Sequence, residues 1–224
     1  MYFAFKKNQD HQIVKLFNSI IKPGDTIVDV GANIGFYSLM FSKLVGIQGK
    51  VYSFEPDTYN FKRLHQATKS HKNILIKNAA VGGHSGSLEF YTSANKNVDH
   101  RAYAPDTYAS KYQVDCLCLD DFILHANFLK VDVQGFEMAV YRGAKKLLES
   151  NPNIQIISEF WPYGLQKAGS SKEEFFDFFE RIGFTILLLH KGHQTVIERS
   201  MLIEFKVQED TYYNVLICKK RDEN

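Results

Sequence analysis

Seven short apolar runs, rich in β-branched residues, recur along the chain: TIVDV at 26–30, KVYSF at 50–54, NILIK at 73–77, FLKVDV at 128–133, IQIISEF at 154–160, FTILLL at 184–189 and NVLIC at 214–218. Segments with the spacing of an amphipathic helix separate most of them, at 35–46, 57–70, 136–150 and 172–182. Parallel strands need a crossover between them, and helices are what cross over, so this alternation predicts a mostly parallel sheet with helices on both faces. The last two runs are joined instead by a polar stretch, 190–213, which suits a final antiparallel strand. A helical lead-in is expected within 1–23, and an insertion at 84–122 reads as two short strands around an irregular loop.

The chain has 224 residues, 45% of them hydrophobic, enough for one sizeable core, and residues 1–224 are expected to form a single domain. Its 27 basic and 25 acidic residues are interspersed, so no basic stripe points to nucleic acid; the basic end Lys219, Lys220 and Arg221 reads as solvated. No apolar run approaches the ~20 residues that span a bilayer, and no leader pattern opens the chain, so neither a membrane nor export is expected. Three cysteines cannot pair fully, and they read as reduced thiols of a cytoplasmic protein.

In an open parallel sheet, ligands sit beyond the carboxyl ends of the strands, and the first strand-to-helix turn lines that crevice. That turn is VGANIG, where Gly31 and Gly35 allow tight backbone and the following helix start is expected to offer free N–H groups. A dinucleotide site wants a glycine at position 33, where a pyrophosphate approaches. Asn33 stands there, and suits the small zwitterionic end of S-adenosylmethionine better. Glu55 closes the second strand, where a carboxylate accepts hydrogen bonds from ribose hydroxyls in either kind of site.

VDVGANIGFYSL, FEPDTYNFKRL, NAAVG, LDDF, FLKVDVQGFEMAVYRGAKKLL and SEFWP follow one another in the order and spacing of the FkbM family of S-adenosylmethionine-dependent methyltransferases, which the chain resembles over roughly 24–190. The resemblance implies the Rossmann-like class I methyltransferase fold: an α/β, seven-stranded, mostly parallel sheet whose last strand is antiparallel. It implies further that Asp29, Gly31, Asn33 and Gly35 contact the methionine moiety, Glu55 the ribose, and Asn78 with Ala79 the neighbourhood of the adenine. The implied reaction is methyl transfer, commonly to a hydroxyl of a sugar, polysaccharide or natural product.

A hydroxyl acceptor must lose its proton, and Asp132, Glu159 and His100 are the candidate acid-base groups. Asp132 and Glu159 end strands that face the crevice, while His100 lies in a polar loop beside Asp99 and Arg101. Arg101 suits an anionic acceptor, and Trp161 and Tyr163 suit a sugar ring or a core cluster. Glu137 falls in the first turn of a helix, where the helix dipole alone would favour it. The three acid-base candidates come from distant segments, so spacing supports no metal site. Two other readings stay open: a nicotinamide-type oxidoreductase, and a protein that binds S-adenosylmethionine without turning it over.

Overall fold

The computed structural model describes residues 11–93 and 100–219; Asp99, Lys220, Arg221 and the first part of the lead-in lie outside them. Helix α1 (His11–Ile20) leads into β1 (Thr26–Val30), α2 (Phe36–Val45), β2 (Lys50–Phe54), α3 (Thr58–Thr68) and β3 (Ile74–Lys77). The insertion follows as β4 (Ala80–Val81), β5 (Gly86–Thr92), β6 (Ser110–Leu117) and the one-turn α4 (Leu119–Phe122). Regular alternation then resumes with β7 (Phe128–Val131), α5 (Glu137–Arg142), α6 (Lys145–Ser150), β8 (Gln155–Phe160), α7 (Pro162–Lys167), α8 (Lys172–Arg181) and β9 (Phe184–His190). The chain closes with β10 (His193–Val196), a 3-10 helix (Arg199–Glu204) and β11 (Tyr213–Lys219).

The main sheet runs β10-β9-β11-β8-β7-β1-β2-β3. β11 inserts antiparallel between β8 and β9, as the polar connection allowed. The sheet has eight strands where the sequence implied seven. Lys191 and Gly192, both with positive φ, form a tight turn that doubles the chain back and adds the polar edge strand β10 to β9. A second sheet, β4-β6-β5, carries the insertion. The helix expected over 136–150 is broken into α5 and α6 at Gly143. A Cβ there would lie 2.0 Å from the Gly82 carbonyl oxygen, and the Asp120 carboxylate accepts from Lys146 and Leu147 N–H to start α6 afresh.

Two apolar layers sandwich the sheet. On one face Phe17 of α1 meets Phe41 and Phe128 edge-on, with ring centroids 5.1 and 5.5 Å apart. On the other, Tyr141 of α5 and Phe175 and Phe179 of α8 pack on one another beneath β7, β8 and β11. From β1 the chain runs outward one way through β2 and β3 and returns on the other side as β7, so the order reverses between β1 and β7. The loops at the carboxyl ends of those two strands therefore flank a crevice. Replacing Phe17 by alanine should lower the unfolding free energy by about 3–5 kcal/mol, the cost of emptying a well-packed aromatic site. Urea denaturation with an unchanged slope would check it.

Candidate active site

The turn from β1 into α2 takes left-handed backbone at Gly31 (φ 78°), Asn33 (φ 50°) and Gly35 (φ 93°). Only glycine fits at 31, since a Cβ would stand 2.0 Å from the Asp132 carbonyl oxygen. The amides of the turn itself are used within the fold. Gly31 and Ala32 N–H donate to the Phe54 carbonyl, Gly35 N–H to the Ala32 carbonyl, Asn33 N–H to Glu55 and Ile34 N–H to the Asn33 side chain. A pyrophosphate needs such amides unspent, so the corner is unsuited to a dinucleotide. An uncharged nucleoside with a small zwitterionic tail makes no such demand.

Glu55 is the counterpart across the crevice. Its Oε2 accepts from Asn33 N–H at 2.8 Å and its Oε1 from Asp57 N–H at 2.9 Å, and each oxygen keeps a further lone pair. Burial raises its pKa to about 7, against the lowering effect of those two amides. Asn78 does not line the cavity; its amide donates to the Glu55 and Pro56 carbonyls, so it holds the backbone behind Glu55. Ala79 does line it.

Beneath the corner lies a buried polar row. Register pairs Asp29 of β1 with Ser53 of β2 and with Lys130 of β7. Lys130 Nζ approaches Asp29 Oδ1 at 3.3 Å, the Gly31 carbonyl at 3.1 Å and Asp132 Oδ2 at 3.8 Å, under the ring of Tyr37. Burial alone would push the Lys130 ammonium down, but Asp29 and Asp132 outweigh it and its pKa rises. The other Asp29 oxygen accepts from Ser38 at 2.7 Å. Asp29 is thus sealed below the cavity, and Gly35 does not line it either; Gly31 and Asn33 do.

A cavity of about 800 Å³ opens above this floor, and the structure brings Asp132, Glu159 and His100 together in its wall. The link between the carboxylates is Gln134, which the sequence reading did not single out. Its Nε2 donates to Asp132 Oδ1 at 3.0 Å and to Glu159 Oε2 at 3.1 Å. His100 Nδ1 accepts from Ser93 N–H at 3.1 Å, which leaves the neutral ring's proton on Nε2 and makes His100 a donor in this arrangement. Arg101 lies over the Trp161 ring at 5.1 Å, and Trp161 is buried with its N–H on the Glu209 carbonyl. Its ring is therefore occupied on the side Arg101 covers. Tyr163 lies outside the lining, with Lys167 over its ring. Among the described residues no group of three or more metal-binding side chains converges.

The glycine corner and the roomy crevice at the sheet's reversal fit the Rossmann-like fold of S-adenosylmethionine-dependent methyltransferases. The FkbM methyltransferase domain model matches residues 29–186, and the chain belongs to that family, whose methyl donor is S-adenosylmethionine. Hexuronic acid methyltransferase AglP of Haloferax volcanii is 25% identical over 144 residues, 63% of this chain and 59% of that protein, so the match spans well under two thirds of the relative. The crystal structure of FkbM methyltransferase from Methylobacillus flagellatus has a TM-score of 0.50 at 17% identity, covering 91% of this chain and 50% of that one. Aeropyrum pernix fibrillarin, solved with natively bound S-adenosylmethionine, has a TM-score of 0.52 at 12% identity, covering 88% and 68%.

Two outcomes are expected at the cofactor corner. Glu55 should accept from ribose best when ionised, so affinity for S-adenosylhomocysteine should rise from about pH 6 to about pH 8, and Glu55→Gln should be weaker and lose this rise. The sign for stability is opposite: unfolded Glu55 ionises near its usual value while the folded carboxyl holds its proton to about 7. Its contribution is therefore fully present below the usual carboxylate range and falls as pH climbs through that interval. Calorimetry and thermal melts of both proteins across pH separate the two effects. Gly31→Ala should abolish binding, because Cβ and the Asp132 carbonyl cannot share one place; calorimetry showing full affinity would refute the corner.

Proposed function

We propose that the protein O-methylates a hydroxyl of a sugar, with an acidic sugar as the favoured acceptor and Asp132 as the proton-accepting group. The observation that carries the reading is the pair Asp132 and Glu159, held through one Gln134 amide in the same cavity as Gly31, Asn33 and Glu55. Bound at that corner, S-adenosylmethionine would supply an electrophilic methyl group, passed to the acceptor oxygen as its sulfur leaves as the thioether of S-adenosylhomocysteine.

The residues divide the remaining work. Asp132 is partly open to the cavity, with Lys130 Nζ 3.8 Å behind it, and is placed to take the hydroxyl proton. Glu159 shares Gln134 and adds negative charge to the same wall of the cavity. His100 directs a donor at the acceptor, and Arg101, braced on Trp161 and Tyr103, faces it with a fixed positive charge. That charge suits a carboxylate-bearing sugar, and the hexuronic acid methyltransferase among the relatives supports the class. The spent amides of the corner weigh against the oxidoreductase reading, and a built carboxylate pair weighs against a protein that only binds the donor.

The test is turnover of labelled S-adenosylmethionine with paired acceptors, hexuronic acid glycosides and the matching neutral hexosides. The acidic series should be methylated, giving an alkali-stable ether; an alkali-labile ester would place the methyl on the carboxylate and remove the need for a base. Asp132→Asn should lower turnover by roughly 10² to 10⁴ while leaving S-adenosylhomocysteine affinity near the unmodified value. Arg101→Ala should raise KM for the acidic acceptor roughly 10-fold to 100-fold, the worth of a charge-assisted hydrogen bond, and leave the neutral one little changed.

A further inference from the structure

Glu137 is a buried carboxylate of this region that the methyl-transfer scheme does not use, and its surroundings are unusual. It opens α5 but is wholly buried, so it is not the solvated first-turn acid that a helix dipole would attract. Its Oε1 turns back and accepts from Val133 N–H at 3.2 Å and from Gly135 N–H at 3.1 Å. These two amides bracket Gln134, which is itself left-handed (φ 55°) and is followed by left-handed Gly135 (φ 101°). A non-glycine residue in that region costs about 1–3 kcal/mol and persists only where its surroundings hold it.

The same turn touches several groups around the cavity. The Gln134 side chain joins Asp132 to Glu159, and its carbonyl accepts from the Tyr103 hydroxyl at 2.9 Å. Gly135 lies so close to Gly164 that a Cβ would stand 2.6 Å from its carbonyl oxygen, and a Cβ on Gly164 would meet the Trp161 ring at 2.1 Å. Any shift of this turn is therefore passed to the carboxylate pair and to the chain's single tryptophan.

We infer that Glu137 is a positioning residue: its carboxyl group holds the strained Gln134–Gly135 turn, and through the Gln134 amide it fixes where Asp132 and Glu159 stand relative to each other. The groups facing it are Asp132 before it and Tyr141 one turn on. Burial, with a smaller push from Asp132, raises its pKa to about 7 against its own backbone amide and those of Gly135 and Val133. Either protonation state keeps Oε1 as an acceptor, so glutamine should do the same work and methionine, of similar length and without an acceptor, should not.

This role rests on the acid-base reading of Asp132 and Glu159, and the experiment has one arm that does not. In that arm the emission of Trp161 and calorimetric binding of S-adenosylhomocysteine are measured on the unmodified protein, Glu137→Gln, Glu137→Met, Gln134→Ala and the Glu137→Met/Gln134→Ala double variant. Glu137→Met should shift the emission and Glu137→Gln should restore it. In the second arm, turnover of S-adenosylmethionine with a hexuronic acid glycoside should fall at least tenfold in kcat for Glu137→Met with little change in acceptor KM. The double variant should be no worse than the more damaging single one, because both losses pass through the same amide. Emission unmoved in folded Glu137→Met overturns the inference, as do losses that add in the double variant or a Glu137→Gln protein as impaired as Glu137→Met. If Glu137→Met does not fold, Gln134→Ala and Glu137→Gln decide: an unchanged kcat in Gln134→Ala, or a tenfold loss in Glu137→Gln, overturns it. An unmodified protein that binds S-adenosylhomocysteine but methylates no acidic sugar counts against the acceptor proposed above, and the emission arm then decides the role of Glu137 by itself.

Discussion

Much of this molecule hangs on one buried ammonium group. Lys130 sits in a strand otherwise made of Phe128, Leu129 and Val131, and it is almost entirely out of water. An unpaired charge in such a place would cost several kcal/mol, so the strand is tolerable only because Asp29 lies opposite it in register and the Gly31 carbonyl and Asp132 complete its shell. Those partners are the floor of the cofactor corner, the turn glycine and the proposed base. One side chain thus fixes the spacing of β1 and β7 where their order reverses, and ties the cofactor end of the crevice to its reacting end.

The geometry also explains why charge is distributed as it is. Glu55, Asp132, Glu159, Glu209 and Asp210 line the crevice together with Lys130, which is paired with Asp29. A donor that carries a sulfonium is favoured by such a lining, and the same donor after methyl transfer has lost that positive charge. The electrostatics therefore favour the reactant over the spent nucleoside without any separate device. Arg101 lines the same cavity, held over the Trp161 ring.

The alternation of apolar runs and helical periods made the parallel sheet legible because period and turn residues agree along the whole chain. What escaped was set by tertiary contacts that have no local signature. The break at Gly143 follows from a neighbour, Gly82, some sixty positions away in sequence, and β10 from a two-residue turn inside a polar stretch. Asp132 and Glu159 could be suspected from their places at strand ends. Gln134 could not, because its importance lies in a left-handed backbone that aims one amide at both of them. Lys130 did carry a visible signal, a cation inside an apolar run, whose meaning needed the register of two strands to emerge. The amides of residues 31–35 carried no signal either, since each is spent on the Phe54 carbonyl, on Glu55 or within the turn itself.

The small sheet built by the insertion meets the cofactor wall through two phenols. Tyr112 donates to Asp57, the residue that caps α3 behind Glu55, at 2.7 Å, and Tyr103 donates to the Gln134 carbonyl at 2.9 Å. Between these two struts runs the stretch of insertion that bears Tyr103 itself at one end and Tyr112 at the other. Pinned at both ends, it couples the cap of α3 to the Gln134 turn, so the small sheet cannot swing away from the main sheet without giving up both phenol contacts.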